Sequence, residues 1–250
     1  MEQDLSQKTE DQIIALSDAM KTGTMQHARA MPGQPLVKFA RLVAAGGAVQ
    51  VGDPAAALGE IEGLGEAFDE QRIIGSIDLE VTVGLALLQM GQPREAIEQL
   101  LVVDTLEGVP TNYLDSTLSL AQVAVGDLIG ARESVDRVLA DDRGTYLDRR
   151  TALLAAAMIE VRRGDLGAAA ARFDDAVAMA DGTESRMSQA VVRLAQAIGH
   201  EAMGSAAGPE LRLDAERALS EIGVHPLGWE RAFELAAGVE SVPAMPTTGD

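Results

Sequence analysis

The chain has 250 residues, about half of them hydrophobic, with one Trp, two Tyr, four Phe, no Cys and a formal net charge of −19. Such a field repels phosphate backbones and anionic bilayers, which argues against nucleic-acid binding and membrane docking. The lack of cysteine removes disulfides, thiolate zinc sites and thiol nucleophiles, and a core of Ala, Leu and Val with few aromatics suits close-packed helices better than a β-sandwich.

The opening stretch, MEQDLSQKTE, is polar and acidic, unlike a signal or transit peptide, and the lack of cysteine fits a reducing cytoplasm, the expected location. Residues 1–34 read as an extra N-terminal helix and a linker. Thr9 and Gln12 have capping-box spacing, Ile13, Leu16 and Met20 share a face, and PGQP at 32–35 breaks the chain. Helix pairs follow at about 36–51 and 54–67, 71–90 and 93–104, 111–125 and 128–140, 146–163 and 166–180, and 184–203 and 208–222. Residues 223–239 read as a C-terminal capping helix over the last pair, with Trp229 and Phe233 four apart on one side. Residues 240–250 read as a flexible tail. The longest apolar run, ALLAAAMI at 152–159, is far short of the roughly 20 residues a membrane-spanning helix needs.

The pairs align on Gly52, Gly91, Gly126, Gly164 and Gly204, at steps of 39, 35, 38 and 40 residues. Five residues after each of the first four stand Ala57, Ala96, Ala131 and Ala169. Nine after stand Ile61, Leu100, Val135 and Phe173, and twelve after stand Leu64, Val103, Val138 and Ala176. Offsets of 5, 9 and 12 trace one stripe of a helix. Seven residues before each glycine stand Ala45, Gly84, Ser119, Ala157 and Ala197, all small enough for a second helix to approach closely. Asp53, Asp127 and Asp165 stand where an acid caps the second helix, and Pro54 and Pro93 stand in its first turn.

Over residues 35–222 this pattern resembles the tetratricopeptide repeat (TPR). The best copy is ALLAAAMIEVRRGDLGAAAARFDDAVAMAD, in which Ala157, Gly164–Asp165, Ala169, Phe173 and Ala176 match the family's small residue, turn and Ala-x-x-x-aromatic-x-x-Ala. The aromatic early in the first helix is missing, with Leu153 and Glu80 in its place in two copies, and Asp181 replaces the closing proline. The resemblance implies an all-α fold, a right-handed α-α superhelix of about five helical hairpins.

It also implies a concave face lined by the first helices. Counting back 10, 6 and 3 from each glycine gives Leu42, Gly46 and Val49; Val81, Leu85 and Leu88; Ser116, Leu120 and Val123; Leu154, Met158 and Val161; and Leu194, Ile198 and Glu201. Arg162 is the one basic residue nearby. The candidate partner-binding groove is therefore Val81, Leu85, Leu88, Leu120, Val123, Leu154, Met158, Arg162, Leu194 and Ile198. Such an apolar face takes a partner's helix, whose basic flanks would meet the acidic rim, or else the chain covers the face itself. Self-coverage is favoured because large exposed apolar patches are rare on soluble monomers. It could come from tighter superhelical closure or from the N-terminal helix folding in, and a homodimer would serve the same need.

No catalytic constellation, metal set or cofactor motif is legible. HEAMG at 200–204 lacks the second histidine of a zinc-protease helix, and the acid pairs Asp141–Asp142 and Asp174–Asp175 lack a third acid at useful spacing. The expectation is a non-enzymatic scaffold or adaptor for another protein. The alternative is a regulatory module that senses a small ligand or peptide, and a helical enzyme comes third.

Overall fold

Glycine and aspartate set the helix boundaries. Gly52, Gly91, Gly126, Gly164 and Gly204 all lie at φ between +71° and +87°, a region where any Cβ would crowd the following carbonyl oxygen. The next residue donates its N–H back across the turn, as from Asp53 to the Ala48 carbonyl at 2.9 Å and from Asp165 to Glu160 at 3.0 Å. Three aspartates then cap the second helices. Asp53 accepts from Ala56 N, Asp127 from Gly130 N and Asp165 from Ala168 N, each at 3.0 Å. Each satisfies a donor the helix leaves free at its start.

The computed structural model describes residues 35–62, 64, 75–102, 111–224 and 227–239. Among these the chain is all-helical, with eleven helices. They are α1 (Pro35–Gln50), α2 (Pro54–Ile61), α3 (Gly75–Gln89), α4 (Pro93–Leu101), α5 (Asn112–Val125), α6 (Leu128–Ala140), α7 (Tyr146–Arg163), α8 (Leu166–Asp181), α9 (Arg186–Ala202), α10 (Gly208–Glu221) and α11 (Leu227–Ala237). The helix expected at residues 9–27, the tail at 240–250 and Val103 lie outside the described residues. Helices α2 and α4 stop at Ile61 and Leu101, short of the ends at 67 and 104 that apolar periodicity suggests. At its end α2 turns extended, at Glu62 (φ −54°, ψ 122°).

Consecutive helices pack as pairs: α1 with α2, α3 with α4, α5 with α6, α7 with α8 and α9 with α10. Each first helix also packs on the first helix of the next pair, and each second helix packs on that same neighbour. The aligned small residues sit at these contacts. Ala45, Ser119, Ala157 and Ala197 are fully buried. Gly84 lies so close to the second helix of its own pair that a Cβ built on it would stand 2.7 Å from Leu100 Cγ. Ala57, Ala96, Ala131 and Ala169 are likewise sealed from solvent. Ala157→Leu should therefore overpack the α7 contacts at about 1–3 kcal/mol, which thermal unfolding should register as a melting temperature several degrees lower.

Helix α11 breaks the pattern. As an end cap it would sit on the last pair. Instead it packs on α3, α5, α7 and α9, the first helices of four different pairs.

Candidate binding groove

Eight of the nine apolar groove residues expected from the register share one buried cluster, whereas Val81 stands in a second, with Leu100 of α4 and Leu114 and Leu118 of α5. Val81, Leu88, Leu120, Val123, Met158, Leu194 and Ile198 have no exposure, and Leu85 and Leu154 have 3% and 1%. The first helices of the second to fifth pairs supply all nine, and α11 lies across those same helices. Of the coverings weighed from sequence, self-coverage fits this arrangement. Among the described residues the helix that packs on all four of these first helices is the last one, which the sequence had placed elsewhere.

Why α11 suits this position follows from its residues. Trp229, Ala232, Phe233, Ala236 and Ala237 are buried on one stripe, and Leu227 is left exposed at the start. The two aromatic rings stack with centroids 5.5 Å apart. The Trp229 indole N–H donates to the Gln50 carbonyl at 2.8 Å, and the Gln89 side-chain amide donates to the Val49 carbonyl at 2.8 Å. Both carbonyls belong to the last turn of α1, where helices leave acceptors without intrahelical partners. Gly228 permits the approach, since a Cβ there would lie 2.6 Å from the Gly52 carbonyl oxygen. The final helix is thus fastened to the first described pair.

Arg150 sits at the convergence. It is 1% exposed. Its guanidinium lies 5.8 Å from the Trp229 ring centroid, donates to Ser188 Oγ at 2.9 Å and reaches Gln50 Oε1 at 3.4 Å. One side chain on α7 thereby links α1, α9 and α11. A guanidinium suits this role because its flat face stacks on a ring while its N–H fork points outward.

A second cation holds the outer side of α11. Arg212 on α10 pairs with Glu201 of α9 at 2.8 Å, with Glu234 at 3.3 Å and with Glu230. Burial pushes the Glu230 carboxyl above its ordinary value, and Arg212 opposes that rise. Arg162 is exposed and stands outside the apolar stripe. Its side chain packs beside Gly238, at the C-terminal end of α11, where a cation faces the negative end of the helix dipole.

Near Arg150 lie Asp78 of α3, Tyr113 of α5 and Asp148 of α7. Asp148 caps α7 by accepting from Thr145 N at 2.8 Å, and burial raises its carboxyl. Asp78 is raised by burial and by the charge of Asp148. The Tyr113 hydroxyl is pushed up to about 12, chiefly by burial. A carboxyl raised in the folded state stabilises the fold when protonated, and that contribution fades as pH climbs through the folded pKa. Asp78→Asn should therefore raise the melting temperature at pH 7 and change it little at pH 3, as calorimetry across that range would show.

Other features flagged from sequence stay apart. His200 stacks against Phe173 with centroids 6.5 Å apart. Asp141 is bound by Arg143, which holds its carboxyl well below the usual range. An open depression of about 500 Å³ runs between Asn112, Asp115, Arg137 and Asp141, and there Asp115 is paired with Arg137 at 2.7 Å. Among the described residues, no three His, Asp or Glu side chains are grouped to hold a metal ion, and no helix is long and apolar enough to cross a membrane.

Sequence reasoning missed Arg150, Arg212 and the position of α11. The available signal was an arginine set against the apolar run of α7, together with the chain's single tryptophan. No family model matches the chain, and no curated protein matches it.

Proposed function

We propose that this chain is a TPR-like α-solenoid, a right-handed superhelix of about five hairpins, acting in the cytoplasm as a non-enzymatic scaffold or adaptor for another protein. The observation that supports the reading is α11. An amphipathic helix lies across the first helices of four successive pairs, which is the geometry by which helix-in-groove modules take their ligands. The groove wall includes Met158, whose flexible thioether adapts to different side chains. The acidic surface steers a partner with basic flanks.

Native mass spectrometry of the protein purified from its own host provides the test. The scaffold reading expects a bound polypeptide that dissociates as salt rises. A small apolar molecule held in stoichiometric amount would favour the sensing alternative, and turnover of such a molecule would favour an enzyme.

A further inference from the structure

The contacts that hold α11 divide into two kinds. Trp229 and Phe233 are anchors, buried and four residues apart, and any helix with the same aromatic spacing could supply them. Glu230 and Glu234 form the latch to Arg212. The latch is partly solvated, with side-chain exposures of 19% for Arg212, 24% for Glu230 and 21% for Glu234, so its strength is modest and salt-dependent. Both kinds of contact follow one short pattern, an aromatic residue followed directly by an acid, repeated four positions on. Helix α11 also departs from the packing of its predecessors, because it packs on the first helices of four pairs and not on its immediate predecessor alone.

We propose that α11 is an exchangeable self-ligand. It occupies the groove in the resting chain and gives way to a partner helix that presents Trp/Phe-acid-x-x-Trp/Phe-acid, the acids meeting Arg212 and the first ring taking the place of Trp229 beside Arg150 and the Gln50 carbonyl. This rests on the scaffold reading and adds the partner's chemistry and its regulation. The chain's affinity for that helix is then lowered by the fraction of molecules in which α11 is docked.

The probe is a fluorescein-labelled synthetic peptide spanning residues 227–239 with Trp229→Phe, added to the full chain. Trp229 is the protein's single tryptophan, so its emission reports α11 alone. The expected result is rising peptide anisotropy with a red shift of Trp229 emission in step. In the Glu230→Gln/Glu234→Gln protein, whose α11 is loosened while Arg212 remains, the apparent Kd should fall about tenfold. A peptide with both aromatics changed to alanine should not bind.

Peptide binding without a Trp229 shift would overturn the proposal, because the peptide would then lie elsewhere. So would failure to bind either protein while Trp229 becomes exposed only together with loss of helicity, since α11 would then be permanent core. Sedimentation showing a dimer with α11 swapped between copies, unaffected by peptide, would also overturn it. Displacement of α11 in a chain that carries no protein partner from its host would leave the exchange standing and count against the scaffold reading alone.

Discussion

Leu120→Glu is expected to unfold the protein. If the first helices lined an open channel, a glutamate there would face water and cost little. Leu120 has no exposed surface, and its helix α5 packs on α3, α7 and α11. Removing a buried leucine side chain costs about 2–5 kcal/mol, and an unpartnered carboxylate in its place adds several more. A total above about 5 kcal/mol is comparable to the whole stability of an ordinary domain. Far-UV circular dichroism should show either no cooperative melt or a melting temperature lowered by well over 10 °C. Leu120→Met, which conserves volume, should cost less than about 1.5 kcal/mol. A folded Leu120→Glu protein with a near-normal melt would mean that the face is solvated.

Trp229→Ala should be the next most damaging change. It removes the ring that stacks on Phe233 and under Arg150, and it strips the Gln50 carbonyl of its donor. Large-to-small truncation of a buried aromatic costs about 3–5 kcal/mol, and an unsatisfied buried acceptor adds about 1–3 kcal/mol where water cannot replace the donor. The pattern of the loss matters more than its size. Hydrogen exchange should show faster exchange in α1 as well as α11, because the indole fastens one to the other. Trp229→Phe keeps a six-membered ring and loses the fused pyrrole with its N–H, so it should cost less than Trp229→Ala but still about 1–3 kcal/mol. A loss of protection confined to α10 and α11 would indicate a terminal cap and contradict the contacts described above.

Local features were legible in the sequence to within a few residues. The five aligned glycines adopt the left-handed turn, the three aspartates cap as expected, and the small residues at the −7 positions are buried at helix contacts. These depend on neighbours within one or two turns, so spacing reveals them. Buried positions of the first helices were also legible, because the register that aligns the glycines fixes which residues of each helix share a face. Their covering was not. The bond from Trp229 to Gln50 joins residues 179 positions apart, and no periodicity records such a pairing. Arg150 was hidden for a related reason. It stands beside Arg149 in a charged first turn, DRR, that reads as solvated surface. Only the arrival of Gln50, Ser188 and Trp229 from three other helices makes it a buried junction. The stacking of pairs explains the alanine of α8, where Ala169, Ala176 and Ala180 are all fully buried. Alanine gives helix propensity without side-chain entropy and lets the neighbouring helix come close.

The most direct measurement is the distance between the first described pair and the start of α11. The chain has no native cysteine, so spin labels at Ala55→Cys and Leu227→Cys, both exposed positions, would be the sole labelled sites. The contact of Gly228 with the Gly52 carbonyl requires pulsed electron–electron double resonance to return a short, narrow distribution, with the two backbones within roughly 20 Å, four residues at about 3.8 Å each plus the contact itself. A distribution centred near 40 Å, about four helix spacings of 8–10 Å, would place α11 away from the first described pair and contradict its packing on α3 and α5.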